Sequence, residues 1–352
     1  MKVFLFNFKG FLRLLLALII FYVFFESLAR YRFEYNNPTL PLSIRANMGL
    51  NSYEAMRFNA KVDEVSLKGI HYLTDEYGFR HGGKEKTPDK PTILLGGDSR
   101  VFGYSLKYEN TVAAILENSG NYNIYQQAYP GSSPAIFNYG IFEKNLYSKL
   151  KLRPNYILYA YDRCDCYNDD VFNSELKENE KGTKLRKLKL MVGGYAWNMC
   201  MKKLSVFLNQ KKPFNETKEQ TVEVKKNETV NHEAEEKKTK NFKITDIPVR
   251  TSILNELKNY SLNSDVALII MYLPRSEELY LRDTRVRDRI LNWTKNNQIV
   301  FIDGYKEFDD LIQGDLNKMR PFFLDLNEGI HFSAKGCALV SALILKKMKG
   351  LD

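Results

Sequence analysis

Hydrophobic positions along the chain fall into short continuous runs separated by stretches with helical spacing. Thr92-Ile-Leu-Leu-Gly96, Tyr122-Asn-Ile-Tyr125, Tyr156-Ile-Leu-Tyr159, Val266 to Tyr272 and Ile299 to Ile302 are β-rich runs without polar alternation, the pattern of strands buried on both faces. Thr111 to Asn118, Ala135 to Leu150, Glu277 to Thr294 and Ser333 to Met348 place apolar residues on one helical face, and Ser333 is a natural N-cap for the last. Strands alternating with helices predict an α/β domain built on a parallel sheet.

Two segments depart from this alternation. Leu14 to Phe25 is apolar and uncharged, and extending it to Gly10 and Leu28 makes it long enough to span a bilayer if Arg13 and Glu26 snorkel to its edges. Ser27-Leu28-Ala29 has the outline of a cleavage site, but Glu26 and the flanking Phe21, Tyr22, Phe24 and Phe25 fit an interfacial anchor, so an uncleaved anchor is favoured over a signal peptide. Basic residues ahead of the segment keep the N-terminus in the cytoplasm. Everything after about residue 30 is then expected on the exported side, in a single-pass arrangement with the lipid bilayer as one partner. Asn209 to Lys243, rich in Lys, Glu, Asn and Thr, has almost no apolar periodicity and is expected to be a solvated, disordered insertion. The chain thus divides into a cytoplasmic stub and anchor (1–32), a connector and lead-in (33–89) and one domain (90–352) interrupted at about 209–243.

Composition narrows the function. The net charge of +10, from 52 Lys+Arg against 42 Asp+Glu, could suit nucleic acid. Part of the excess flanks the apolar segment, where Lys2, Lys9, Arg13, Arg30 and Arg32 stand against Glu26 alone, and no nucleic-acid-binding motif accompanies it. A nucleic-acid partner is not expected. Four cysteines without a C-x-x-C pair give neither a disulfide scaffold nor a metal site. Four histidines limit imidazole chemistry to His71, His81, His232 and His331. His232 lies in the charged insertion, and His71 and His81 flank the lead-in, where solvent or backbone would satisfy them.

Directly after the first strand comes Gly96-Gly97-Asp98-Ser99-Arg100-Val101-Phe102-Gly103, which sets a serine on a strand-to-helix turn at the edge where parallel sheets bind ligands. Backbone N–H groups at the start of a helix there can hold an oxyanion. A serine needs a base. His331 is best placed to be that base, in Glu328-Gly-Ile-His331 leading into the final helix, with Glu328 three residues before the imidazole to hold its Nδ1–H. Asp98 is expected to cap the turn.

On these residues the chain resembles the SGNH hydrolases, also called the GDSL lipase/esterase family, from about Tyr72 to the C-terminus apart from the insertion. Gly97-Asp98-Ser99 with Gly103 is similar to the family's first block, and Ala128-Tyr-Pro-Gly131 to its second. Thr74 to Arg80 and Leu273 to Tyr280 resemble segments of membrane-anchored members, some of which are similar to polysaccharide O-acetyltransferases. The resemblance implies a three-layer, flavodoxin-like fold with a central parallel sheet, Ser99 as nucleophile, and the N–H groups of Ser99 and Gly131 as oxyanion donors. It implies no cofactor and no metal.

Two positions depart from the family pattern. The third block normally supplies an asparagine to the oxyanion hole, and the best overlay puts Cys164 there, beside Asp165. A thiol is a poor donor, so Asn168 or Arg163 substitutes, or the hole has only its two backbone donors. The fifth block normally reads Asp-x-x-His, where this chain has Glu328; Asp325 is a second candidate orienter. The implied activity is hydrolysis of acyl, above all acetyl, esters of an exported glycan or lipid. The alternatives are acetyl transfer to a surface polysaccharide, with a multispanning membrane protein as acyl donor, and a non-catalytic anchored glycan-binding or assembly protein.

Overall fold

The computed structural model describes residues 8–36, 61–142, 153–169, 249–324 and 331–351. The charged insertion, Asp325 and Glu328 lie outside the described residues.

A single helix, α1 (Phe8–Asn36), carries the apolar N-terminal segment and runs on into the expected connector. The side chains described between Leu12 and Phe25 are all exposed. Among the described residues no helix is long and apolar enough to cross a membrane.

The connector holds more order than its composition suggested. Three short antiparallel strands, β1 (Asp63–Val65), β2 (His71–Thr74) and β3 (Arg80–His81), form a small sheet in the order β1-β2-β3. A turn closed by Asp75, whose carboxylate accepts from the backbone N–H groups of Tyr77 and Phe79 at 2.9 Å each, returns the chain into β3.

The main sheet has five parallel strands: β4 (Thr92–Gly96), β5 (Asn123–Gln126), β6 (Tyr156–Tyr161), β7 (Ala267–Tyr272) and β8 (Val300–Asp303). Each overlaps a continuous apolar run identified in the sequence. Consecutive residues Ile93, Leu94 and Leu95, like Ile157 to Tyr159 and Ile269 to Tyr272, are fully buried, so both faces of the sheet are covered. The order β5-β4-β6-β7-β8 is that of a doubly wound, flavodoxin-like fold, whose switch point lies between β4 and β6.

The helices are α2 (Ser99–Phe102), α3 (Val112–Asn118), α4 (Pro134–Phe142), α5 (163–169), α6 (Thr251–Ser264), α7 (Ser276–Leu281), α8 (Arg285–Asn296), α9 (Gly304–Ile312), α10 (Leu316–Met319) and α11 (Ala334–Met348). Helix α11 packs on α3, and α6 on α4. Ser333 caps α11 by accepting from Gly336 N–H at 3.2 Å. One expectation needs correction: Glu277 to Thr294 is two helices rather than one. Arg282 takes a left-handed conformation (φ 54°) and ends α7, and Asp283 then accepts from Arg285 N–H at 3.2 Å at the start of α8. Apolar spacing continues across the break, which hid it.

Candidate active site

The site begins where β4 ends. Gly97 adopts φ 149°, and a Cβ there would stand 2.6 Å from Val101 Cγ2, so only glycine lets the chain turn this tightly from strand to helix. Asp98 N-caps α2, its Oδ1 accepting from Arg100 N–H at 3.0 Å, which agrees with the turn-capping role expected of it. Ser99 is the first residue of that helix, only 8% exposed, at the C-terminal edge of the sheet. Gly103 ends the helix in a left-handed conformation (φ 73°), and Tyr104 N–H bonds back to Ser99 O at 2.9 Å.

His331 reaches this serine from the other end of the chain, with Nε2 3.0 Å from Ser99 Oγ. Its neighbours fix it. An antiparallel bridge joins Phe323 to Phe332, Leu324 N–H bonds to His331 O at 2.9 Å, and Phe332 stacks on Phe308 with ring centroids 5.3 Å apart. The imidazole lies against the Tyr104 ring at a centroid distance of 4.6 Å and an interplanar angle of 21°. Burial, with the charges of Arg100 and Arg275 added, lowers its pKa to about 4. At neutral pH the ring is therefore uncharged and able to accept a proton.

Beneath the serine lies a buried charge cluster. Arg100, 1% exposed, donates to the carbonyls of Leu273 (3.2 Å) and Pro274 (2.9 Å) and pairs with Asp162 at the end of β6. Burial raises the Asp162 carboxyl, but the charges of Arg100 and Arg275, with hydrogen bonds from Asp98 and the Asp165 N–H, together outweigh it and hold Asp162 below the usual carboxylate range. Burial and the Asp162 charge push Asp98 the other way, up. The second block runs beside the nucleophile turn, Tyr129 N–H bonding to Gly97 O at 3.3 Å, and brings Gly131 to an exposed position in the following turn.

The third block forms the start of α5. Asp165 is buried, its Oδ2 accepting from Asp162 N–H at 3.0 Å. Burial, reinforced by Asp162, Asp98 and Asp169, pushes its carboxyl well up. Asn168 donates its amide to Ser132 O at 3.3 Å, and Arg163 Nη1 meets Asp283 Oδ2 at 3.1 Å, so both candidate substitutes for the missing asparagine have partners elsewhere. Cys164 is partly exposed, and burial drives its thiol up to about 12, so the sulfur is uncharged. The structure thus brings Ser99 and His331 together and sets the third block beside them. His71 pairs with Asp63 Oδ1 at 2.6 Å and His81 Nδ1 accepts from Gly83 N–H at 3.0 Å, both lining a separate cleft of about 420 Å³.

Sequence reasoning missed three contributors. Tyr104 follows a glycine and carries no motif. Arg100 stands in the Gly96 to Gly103 run without a role of its own, and nothing in the pattern tells that it is buried and paired with Asp162. Arg275 lay inside a segment noted for its resemblance, but no role attached to it.

No protein-family model and no curated protein matches the chain. Solved structures similar to it include a lipolytic protein of the G-D-S-L family from Desulfitobacterium hafniense DCB-2, with 11% identity and a TM-score of 0.39 over 73% of this chain and 99% of that one. The lipase/acylhydrolase from Enterococcus faecalis is similar at 13% identity and a TM-score of 0.39, covering 74% and 96%. The alpha/beta hydrolase LAE5, from the metagenome of Lake Arreo in Spain, is similar at 12% identity and a TM-score of 0.41, covering 74% and 96%.

Proposed function

We propose that the protein is a serine ester hydrolase of the SGNH type. The observation that carries this is the 3.0 Å contact between Ser99 Oγ and the Nε2 of an uncharged His331 at the switch-point edge of the sheet. His331 takes the hydroxyl proton as Ser99 Oγ bonds to the ester carbonyl carbon, and returns it to the departing alcohol as the C–O bond breaks. Water, activated by the same imidazole, then releases the acid from the acyl-serine. The Ser99 and Gly131 N–H groups hold the oxyanion, and a carboxylate on the segment before His331, Glu328 or Asp325, orients the ring.

The substrate we propose is a small acyl ester, acetyl above all, of an exported glycan or lipid. We also propose that α1 anchors the domain to a membrane. Leu12 to Phe25 are exposed on every side of that helix, and a helix apolar all round requires either a protein core or lipid around it. A reporter active only outside the cytoplasm, fused near the C-terminus, should be active; a silent reporter contradicts export.

The activity is tested by giving the purified full chain an acetyl ester with and without a polysaccharide acceptor. Acid release that disappears in Ser99→Ala supports hydrolysis. Acetyl appearing on the polysaccharide instead would favour transfer, and equal rates for wild type and Ser99→Ala would favour a non-catalytic glycan-binding role.

A further inference from the structure

On the ester-hydrolase reading, Cys164 stands where the resemblance puts an asparagine and the oxyanion hole is one donor short, and a second arginine, Arg275, is close enough to Cys164 for their electrostatics to couple. Arg275 follows immediately on the Leu273 and Pro274 carbonyls that hold the guanidinium of Arg100, the residue next to Ser99. Leu273 N–H bonds to Tyr161 O at 2.9 Å, so the turn carrying Arg275 leaves the sheet edge alongside Asp162, Arg163 and Cys164.

The hydrogen bonding of Arg275 is incomplete. Its Nη1 meets Glu277 Oε1 at 3.0 Å, and its backbone N–H is held by Glu278 Oε2 at 2.9 Å, but its Nε–H is buried with no acceptor. Arg80 and Arg100 also bury an Nε–H without a hydrogen-bond acceptor, that of Arg100 lying 3.6 Å from Asp98 Oδ1, yet both are sealed inside the protein, whereas 14% of the Arg275 side chain is open to solvent. A buried charged donor without an acceptor is costly and is tolerated where an acceptor arrives with the ligand. The charge also reaches the base: Arg275 lies close enough to help keep His331 uncharged.

We propose that Arg275 is a catalytic residue that donates to the oxyanion, doing from the end of β7 what the absent asparagine would do from the end of β6. The inference rests on the ester-hydrolase reading. When Ser99 Oγ adds to the carbonyl carbon and its proton passes to His331, the C=O electron pair moves onto oxygen, and the Arg275 N–H receives that charge. As the pair returns and the alcohol leaves, the donor is free again. Catalytic donors of this kind contribute mostly to kcat.

The test uses the full chain and p-nitrophenyl acetate, a neutral ester. Arg275→Met should lower kcat by ~10²–10³-fold with KM within about threefold of wild type, and adding Cys164→Asn to that variant should recover at least about tenfold of the loss, because it restores a side-chain amide at the vacant place. A kcat within about threefold of wild type would overturn the inference, as would an effect confined to KM, which would make Arg275 a substrate-binding group. Failure of Cys164→Asn to recover activity in a folded double variant would also count against it. If Arg275→Met does not fold, Arg275→Lys decides: the inference expects kcat at least about tenfold down at unchanged KM, and wild-type kcat overturns it. A wild type that depends on Ser99 but not on Arg275 overturns this inference alone; a wild type independent of Ser99 overturns the hydrolase reading with it.

Discussion

The imidazole of His331 lies flat against the phenol ring of Tyr104, 4.6 Å between centroids, while its Nε2 faces Ser99 Oγ at 3.0 Å. The stack joins the loop after the nucleophile to the loop before the last helix, two segments more than two hundred residues apart. It also covers one face of the base and adds to the burial that keeps it uncharged. Tyr104→Ala should therefore lower kcat roughly three- to tenfold, as expected for losing ~0.5–1.5 kcal/mol of ring stacking. It should also raise the acid limb of the pH–rate profile, because a more solvated imidazole protonates more easily. Steady-state kinetics across pH reads both; a Tyr104→Phe variant should keep both near wild type.

The pH profile of the wild type follows from the same burial. A base with pKa about 4 in the free protein stays uncharged through the neutral range. Loss of activity should begin only near pH 4, where protonation of His331 removes the base, and kcat/KM should then fall by about tenfold per pH unit. The direction is fixed: lowering pH adds the inactivating proton. An acid limb centred at or above the ordinary imidazole value of about 6.5 would show that burial and the Arg100 and Arg275 charges do not dominate His331 in the working protein and that an orienting carboxylate outweighs them.

Gly97 should tolerate no side chain. An alanine Cβ would sit 2.6 Å from Val101 Cγ2 and 3.3 Å from Ala160 O, so the turn must shift and move Ser99 with it. A displacement of about 1 Å at a reacting atom costs on the order of 10²-fold in rate. Gly97→Ala should show a loss of that size in kcat, with a melting curve that reports whether the rest of the fold survives.

The buried pair of Arg100 and Asp162 makes a stability prediction. Removing one member leaves the other charged and dry, which costs ~3–5 kcal/mol, whereas replacing both together costs far less than the sum. Urea unfolding of Asp162→Asn, Arg100→Met and the double variant measures this coupling. Additive losses would mean that the two charges are not paired in solution.

How much of this was legible in the sequence depended on the kind of signal. The sheet strands were legible because runs such as Ile93 to Leu95 and Leu268 to Tyr272 are continuously apolar, the pattern that burial on both faces requires. Ser99 and His331 were legible because glycines and a cap surround the first and because the chain has only four histidines from which to choose the second. The antiparallel strands β1 to β3 were not, since runs of three, four and two residues fall below any periodicity. Helix α9 also escaped notice because Asp303 both ends β8 and caps the next helix, leaving no loop to mark the change. Arg80 shows the same limit at a single residue. It is 2% exposed and donates to the carbonyls of Phe102, Gly103 and Leu106, tying β3 to the loop that carries Tyr104. Its partners are backbone oxygens, which no residue pattern announces.

The central claim is that the Ser99 hydroxyl, activated by His331, forms the covalent acyl-enzyme. The most direct measurement treats the full chain with a fluorophosphonate that reacts with activated serines and locates the adduct by peptide mass spectrometry. The account predicts a single adduct on the peptide containing Ser99, absent from Ser99→Ala and formed ~10²–10⁴-fold more slowly by His331→Ala. No adduct on the folded wild type, or the same adduct rate in His331→Ala as in wild type, would contradict it.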